Sequence, residues 1–458
     1  ARNLTLNIGT GTVAFGNDST DTIGASAALA AIAITGNLDL NAAIVNAASL
    51  SVSRATDLGA NVTTSGTQTY NGALILSISH PSLISNSGGI IIKDNITDSI
   101  SSDFVINSGS HSTVINGDID SLSSLTIDSS AIDSVINGVI SGNTILIKEG
   151  SGVVTLTAAN TYTGTTLINT GTLQLGNSFG NTLPTSAAIS MSGNSVLDLY
   201  GFSQTVISIN SSSLSNLITN SGVNNVTLTV TGSSLSSFAG LIQDGSGTVA
   251  LTLNSNSPSG ILILSGANTY SGNTAVTAGT LKTASIGIGQ TSNITSSPFG
   301  LGTVTVGSGA TSTGTLDLNG YTVLNPIVLN GGGNAGALVN SNVSATGIAA
   351  GSVTVNSATT FGGAGALTIA GVVSTGSNGI AFVGTGTFTL SNTANSIATI
   401  ASYSNRMGNL NLTDSADLFI GSVTVGTTTY NGINSAGTLI LKSSGNITIN
   451  PLSFVTTN

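Results

Sequence analysis

Short runs in which apolar and small polar residues alternate recur along the whole chain. Leu4 to Ile8, Ile90 to Ile92, Val153 to Thr157, Leu173 to Leu175, Val226 to Val230, Ile261 to Leu264, Val304 to Val306 and Thr438 to Leu441 are examples. A period of two is that of a half-buried β-strand. Gly, Asn or Ser clusters bound the runs, as at Ser87-Gly88-Gly89 and Gly331-Gly332-Gly333. Gly and Asn accept positive φ at little cost, so these clusters predict tight corners. Only Ala25 to Ala33 has the composition of a helix, and its β-branched and small neighbours argue against one. The pattern predicts many short strands joined by corners and an all-β chain.

Composition narrows the architecture. Of 458 residues only 7 are Lys or Arg and 17 Asp or Glu, whereas 69 are Ser, 65 Thr and 47 Asn. Prolines are scattered, no charged run interrupts the chain, and no linker separates domains. A solenoid of stacked coils selects this composition. Each coil lies about 4.8 Å from the last, so every side chain sits on its equivalent, and stacked like charges repel. Asn, Ser and Thr can instead bond along a ladder. A narrow interior suits Val, Ile, Leu and Ala and excludes Trp, which is absent. The reading is a parallel β-helix running continuously over residues 1–458, with coils of roughly 20–25 residues and about twenty of them.

The same numbers exclude several classes. Mean hydropathy is +0.41, too apolar for a disordered chain. Net charge is -10, which disfavours nucleic acid as a partner. Without Cys there is neither a disulfide framework nor a thiolate zinc site. No basic, then apolar, leader follows Ala1, and Ile23 to Ile34 is too short to span a bilayer, so no membrane span is expected in this segment. Either the protein is cytosolic or the chain is a mature segment of an exported one, and the composition favours the second.

One internal repeat stands out. Residues 151–173 align without gaps to 259–281; within them Asn160-Thr161-Tyr162-Thr163-Gly164 faces Asn268-Thr269-Tyr270-Ser271-Gly272, and Gly171-Thr172-Leu173 faces Gly279-Thr280-Leu281. Leu197-Asp198-Leu199-Tyr200-Gly201 is then echoed by Leu316-Asp317-Leu318-Asn319-Gly320. Weaker echoes are Thr69-Tyr70-Asn71-Gly72 and Thr429-Tyr430-Asn431-Gly432. In Asn-Thr-Tyr-x-Gly the Asn can bond backbone at a corner, the Tyr can close an apolar stack and the Gly permits the next turn. An exposed ligand contact is the alternative role for Tyr162 and Tyr270. At these residues the chain resembles the passenger-associated repeat of bacterial autotransporters, and its flanks resemble filamentous-haemagglutinin-like surface adhesins.

The resemblance implies a right-handed β-helix displayed on the surface of a diderm bacterium, exported across the outer membrane. Passengers precede a translocator barrel of alternating aromatic strands, and nothing of that kind leads up to Asn458, so the chain is expected to be only part of a passenger or to have been cleaved from its barrel. The repeat divides the expected solenoid into coils at 1–148 with an acidic segment at 94–133, a first repeat unit at 149–258, a second at 259–380, and degenerate coils at 381–458.

Candidate chemistry is sparse. The two histidines are His80 and His111, and no Gly-Asp-Ser-Gly occurs. Gly176-Asn177-Ser178-Phe179-Gly180 has the spacing of a nucleophile elbow, but no helical pattern follows it and both histidines precede Ser178, so it reads as a corner. Asp118 and Asp120 form the best carboxylate pair, on one face of a strand at i, i+2. Lys93 and Lys148 only flank their region, leaving no cation there to stabilise an oxyanion. Phe361-Gly362-Gly363-Ala364-Gly365 lacks a βαβ context, which argues against phosphate binding. No catalytic, cofactor or metal residue is nominated.

The leading expectation is a non-enzymatic, extracellular passenger acting as an adhesin or display stalk. Its partners would be host or neighbouring-cell surface molecules or glycans. Alternatives are a self-associating surface-layer or filament subunit, and a polysaccharide-active enzyme using Asp118 and Asp120.

Overall fold

A computed structural model describes the chain except for residues 19, 179, 310, 334–335, 403–406, 451–454 and 458. The described residues contain strands and no α-helix, and they make about 18 turns of parallel β-solenoid. Two compact units are present, Ala1–Val226 and Thr227–Asn458.

In the first unit each coil contributes strands to three faces. On one face Val52, Tyr70, Ile92, Ile115, Ile136, Leu156 and Leu175 are partners in successive parallel strands. The spacing of these partners along the chain is within, or just short of, the coil length that the pattern implies. Every member is at most 1% exposed. A second face stacks Leu125, Leu146, Thr166 and Ile189, and a third carries Leu40, Leu58 and Leu76. Alternation along each strand points these residues inward and their neighbours outward. Ala25 to Ala33 runs into the strand Leu29–Leu40, paired with Arg2–Phe15, because a neighbouring coil offers its backbone ladder partners that an isolated helix would not need.

The second unit repeats the scheme. Leu262, Leu281, Leu316, Leu338, Phe361 and Phe382 form one inward stack. The rings of Phe361 and Phe382 meet edge-on with centroids 6.1 Å apart. Two steps between coils are longer than the rest. One runs from Leu281 to Leu316, and its excess chain holds an antiparallel hairpin of Ile288–Gln290 and Asn293–Ser296. The other runs from Ile420 to Ile449, and there Ser422–Val425 pairs with Thr428–Asn431. This second hairpin lies against the outer surface of its own unit, burying Val423, Val425 and Tyr430 on Ala381, Val383 and Ala401. Small residues make that possible: a Cβ on Gly379 would sit 2.5 Å from Val423 Cγ2.

Candidate functional site

The repeat motif can be followed atom by atom in both copies. Asn160 is buried at a corner, where its Oδ1 accepts from Ile140 N at 2.8 Å and its Nδ2 donates to Thr182 O at 2.9 Å. Asn268 does the same in the second copy, with Ile242 N at 2.8 Å and Pro298 O at 2.7 Å. Each side chain thereby bonds backbone groups on the two coils that flank its own. Tyr162 and Tyr270 are both 0% exposed. Their hydroxyls bond Thr166 Oγ1 at 2.6 Å and Thr274 Oγ1 at 2.7 Å. Burial pushes both phenols far above the ordinary tyrosine range. They are packing residues, and an exposed ligand contact is ruled out for both.

The Leu-Asp-Leu element carries a second duplicated device. Asp198 is nearly buried and accepts from Tyr200 N, Ser221 N, Ser221 Oγ and Gln174 Nε2. Asp317 accepts from Asn319 N, Ser341 N and Ser341 Oγ in the same order. Its fourth partner is Lys282 Nζ, 3.3 Å from Oδ2. Lys282 occupies the position in the second copy that Gln174 holds in the first. Both elements then turn through a left-handed residue before a left-handed glycine: Tyr200 at φ 47° and Asn319 at φ 48°.

Lys282 and Asp317 line an open groove of about 570 Å³ on the outer surface of the second unit. Thr280, Thr315, Val339 and Ser341 line it as well, and Pro258 and Ile261 form its apolar margin. Strand register sets Thr280 beside Thr315 and Lys282 beside Asp317. The Lys282 side chain is 25% exposed and Asp317 4%. Sequence reasoning passed over Lys282; the signal was the gapless repeat, which, carried one residue further, aligns it with a glutamine.

The nominated carboxylates behave differently. Asp118 and Asp120 flank buried Ile119 and are both exposed, on one side of the strand as their spacing requires. Each serves the following coil: Asp118 Oδ1 accepts from Val139 N and Asp120 Oδ1 from Ser141 Oγ, at 2.8 and 2.7 Å. The hydroxyls of Ser141 and Ser121 hold the Asp120 carboxyl below the usual carboxylate range, the opposite of what a general acid needs. Lys93 is exposed, but Lys148 is 1% exposed. Its backbone is registered between Ile127 and Ile168 in an inward stack, and its ammonium reaches the carbonyls of Glu149, Gly150 and Thr170 at a corner. Desolvation lowers its pKa to about 8, with Asp128 and Glu149 pulling the other way.

His80 lies 3.4 Å from Asp103, whose other oxygen accepts from Ser124 Oγ. Serine, carboxylate and imidazole are thus adjacent in the wrong order, since a triad places the imidazole next to the serine. His111 is exposed beside Ser110. In the elbow-like segment Phe179 lies outside the described residues; Ser178 is exposed, and after Gly180 the chain turns and enters the strand Ala188–Met191. Among the described residues no group of three or more His, Asp or Glu side chains is placed to hold a metal ion.

Comparison with known proteins agrees with the duplicated geometry. Residues 146–175 and 259–282 match the family model of the passenger-associated-transport-repeat. No curated protein and no solved structure matches the chain. The first matched segment holds Lys148, the buried Tyr162 and Gln174; the second holds the buried Tyr270 and ends at Lys282. The chain therefore carries, in two copies on a parallel β-solenoid, the passenger-associated transport repeat of autotransporter passengers.

Proposed function

We propose that this chain is a non-enzymatic surface passenger that acts as an adhesin or as a stalk presenting one. The observation that carries the reading is the duplicated transport repeat built into a parallel solenoid. A passenger of this kind is exported to the cell surface, where a stacked scaffold offers the outward side chains of successive coils. The polar side chains with catalytic potential support the same reading. Asp118 and Asp120 brace the next coil, and Lys148 closes a corner from inside. Partners would be surface molecules of host or neighbouring cells.

The test is adherence of whole bacteria displaying the full passenger against bacteria displaying one from which 259–380 is removed. Lost adherence with equal surface display supports the proposal. Adherence equal to that of the full passenger overturns it for this region. Turnover of a polysaccharide by the purified chain, abolished in the Asp118→Asn, Asp120→Asn double variant, would replace it with the enzymatic alternative.

A further inference from the structure

We infer that the groove around Lys282 and Asp317 binds an uncharged oligosaccharide laid across the coils; this deepens the adhesin reading and rests on it. Gln174 holds Asp198 through one amide hydrogen bond, so the aspartate in this motif needs no cation. The second copy places an ammonium at the same position, where it bonds Asp317 Oδ2 and, at 2.9 Å, Ser341 Oγ. Its charge exceeds the structural requirement, and a quarter of its side chain remains open to solvent.

The pair is neutral as a whole, and with Asp317 buried and already accepting from Asn319, Ser341 and Lys282 it is the partly exposed ammonium that faces the groove as a donor to a sugar hydroxyl. Thr280, Thr315 and Ser341 add hydroxyls, and Ile261 and Val339 offer apolar surface to the C–H faces of a pyranose. Charge selects against acidic glycans: the chain carries a net -10, and the groove's cation is already matched by Asp317. Rungs repeat at about 4.8 Å, a spacing comparable to one sugar ring, and the hydroxyls of Thr280 and Thr315 occupy one register position on adjacent coils.

The experiment titrates the full chain, by calorimetry, with cellohexaose, xylohexaose and chitohexaose, and with hexagalacturonate as the acidic probe. Binding of at least one neutral hexasaccharide, weakened at least tenfold in Lys282→Gln at unchanged melting temperature, supports the inference. Since Gln is the first copy's own residue, this variant is expected to fold; Thr280→Arg, which fills the groove, should also abolish binding. Three outcomes overturn the inference: no neutral hexasaccharide bound, tighter binding of hexagalacturonate, or affinity in both variants equal to that of the unaltered chain. If no saccharide binds but removal of 259–380 still abolishes adherence, the adhesin reading stands and the saccharide falls.

Discussion

The two copies of the transport repeat share their buried asparagine, tyrosine and aspartate and differ most at their surfaces. The corner bond to Asn Oδ1 is 2.8 Å at both Asn160 and Asn268. The phenol bond is 2.6 Å at Tyr162 and 2.7 Å at Tyr270. The amide bond to the aspartate is 3.0 Å at Asp198 and 2.9 Å at Asp317. The outward positions diverge: Gln174 against Lys282, Tyr200 against Asn319, and no insertion against the hairpin of 288–296. Corner geometry tolerates little change because buried backbone groups must be paired, whereas an outward side chain is free to vary. The repeat is thus a scaffold unit, and the differences between copies are where function can reside.

The largest test removes a shared part. Tyr162→Ala and Tyr270→Ala should each destabilise by about 3–5 kcal/mol, the cost of a large buried aromatic replaced by a cavity. Hydrogen exchange should locate the lost protection around 146–175 for the first and 259–282 for the second. Equal loss of protection throughout the chain in either variant would contradict a locally built repeat. The Tyr→Phe variants should cost about 1 kcal/mol each, the net worth of one buried hydrogen bond.

A pH series sharpens a second difference, because Lys148 belongs to the first copy alone. Its folded pKa lies at about 8, below the ordinary lysine value. Between these values the unfolded chain keeps a proton that the folded chain has released, so stability rises with pH from about 8 toward 10. Tyr70, Tyr162 and Tyr270 act oppositely. Burial raises their folded pKa values, so above pH of about 10 the unfolded chain ionises first and stability falls. Denaturant midpoints should therefore peak near pH of about 10. In Lys148→Met the rise should vanish while the fall remains; a rise that persists would place the titrating group elsewhere.

Backbone strain separates the copies by less. A tyrosine in the left-handed region costs about 1 kcal/mol, and asparagine tolerates it better. Tyr200→Asn should raise stability by up to about 1 kcal/mol and Asn319→Tyr should lower it similarly, read as opposite shifts of melting temperature. The smallest effect is expected from Gln174→Lys, within about 1 kcal/mol of the unaltered chain, since it installs a partly exposed ion pair. A larger loss would mean that the two outward positions are not interchangeable.

Much of this scaffold could be read from residue order. The strands at Ile90–Ile92, Val226–Val230, Ile261–Leu264 and Val304–Val306 fall where alternation puts them. The same alternation places Lys148 in phase with Leu146 and hence inward, a signal masked by the habit of assigning lysine to the surface. The Tyr430 echo was legible as a motif but not as a location. It lies on a hairpin folded against Ala381 and Ala401, whereas Tyr70 sits in a coil stack.

What the sequence determined by itself was the repeating unit: short strands, positive-φ corners, like stacked on like with charge excluded, and two copies of one family motif. These are local or periodic properties, and a solenoid translates them directly because each coil meets only its neighbours. The tertiary structure alone decided which outward side chains converge. Thr280, Thr315 and Ser341 belong to three different coils, yet stacking brings them to one groove with Lys282 and Asp317. Parallel register governs that convergence: Lys282 meets Asp317 as Gln174 meets Asp198, although a hairpin is inserted in the second step only.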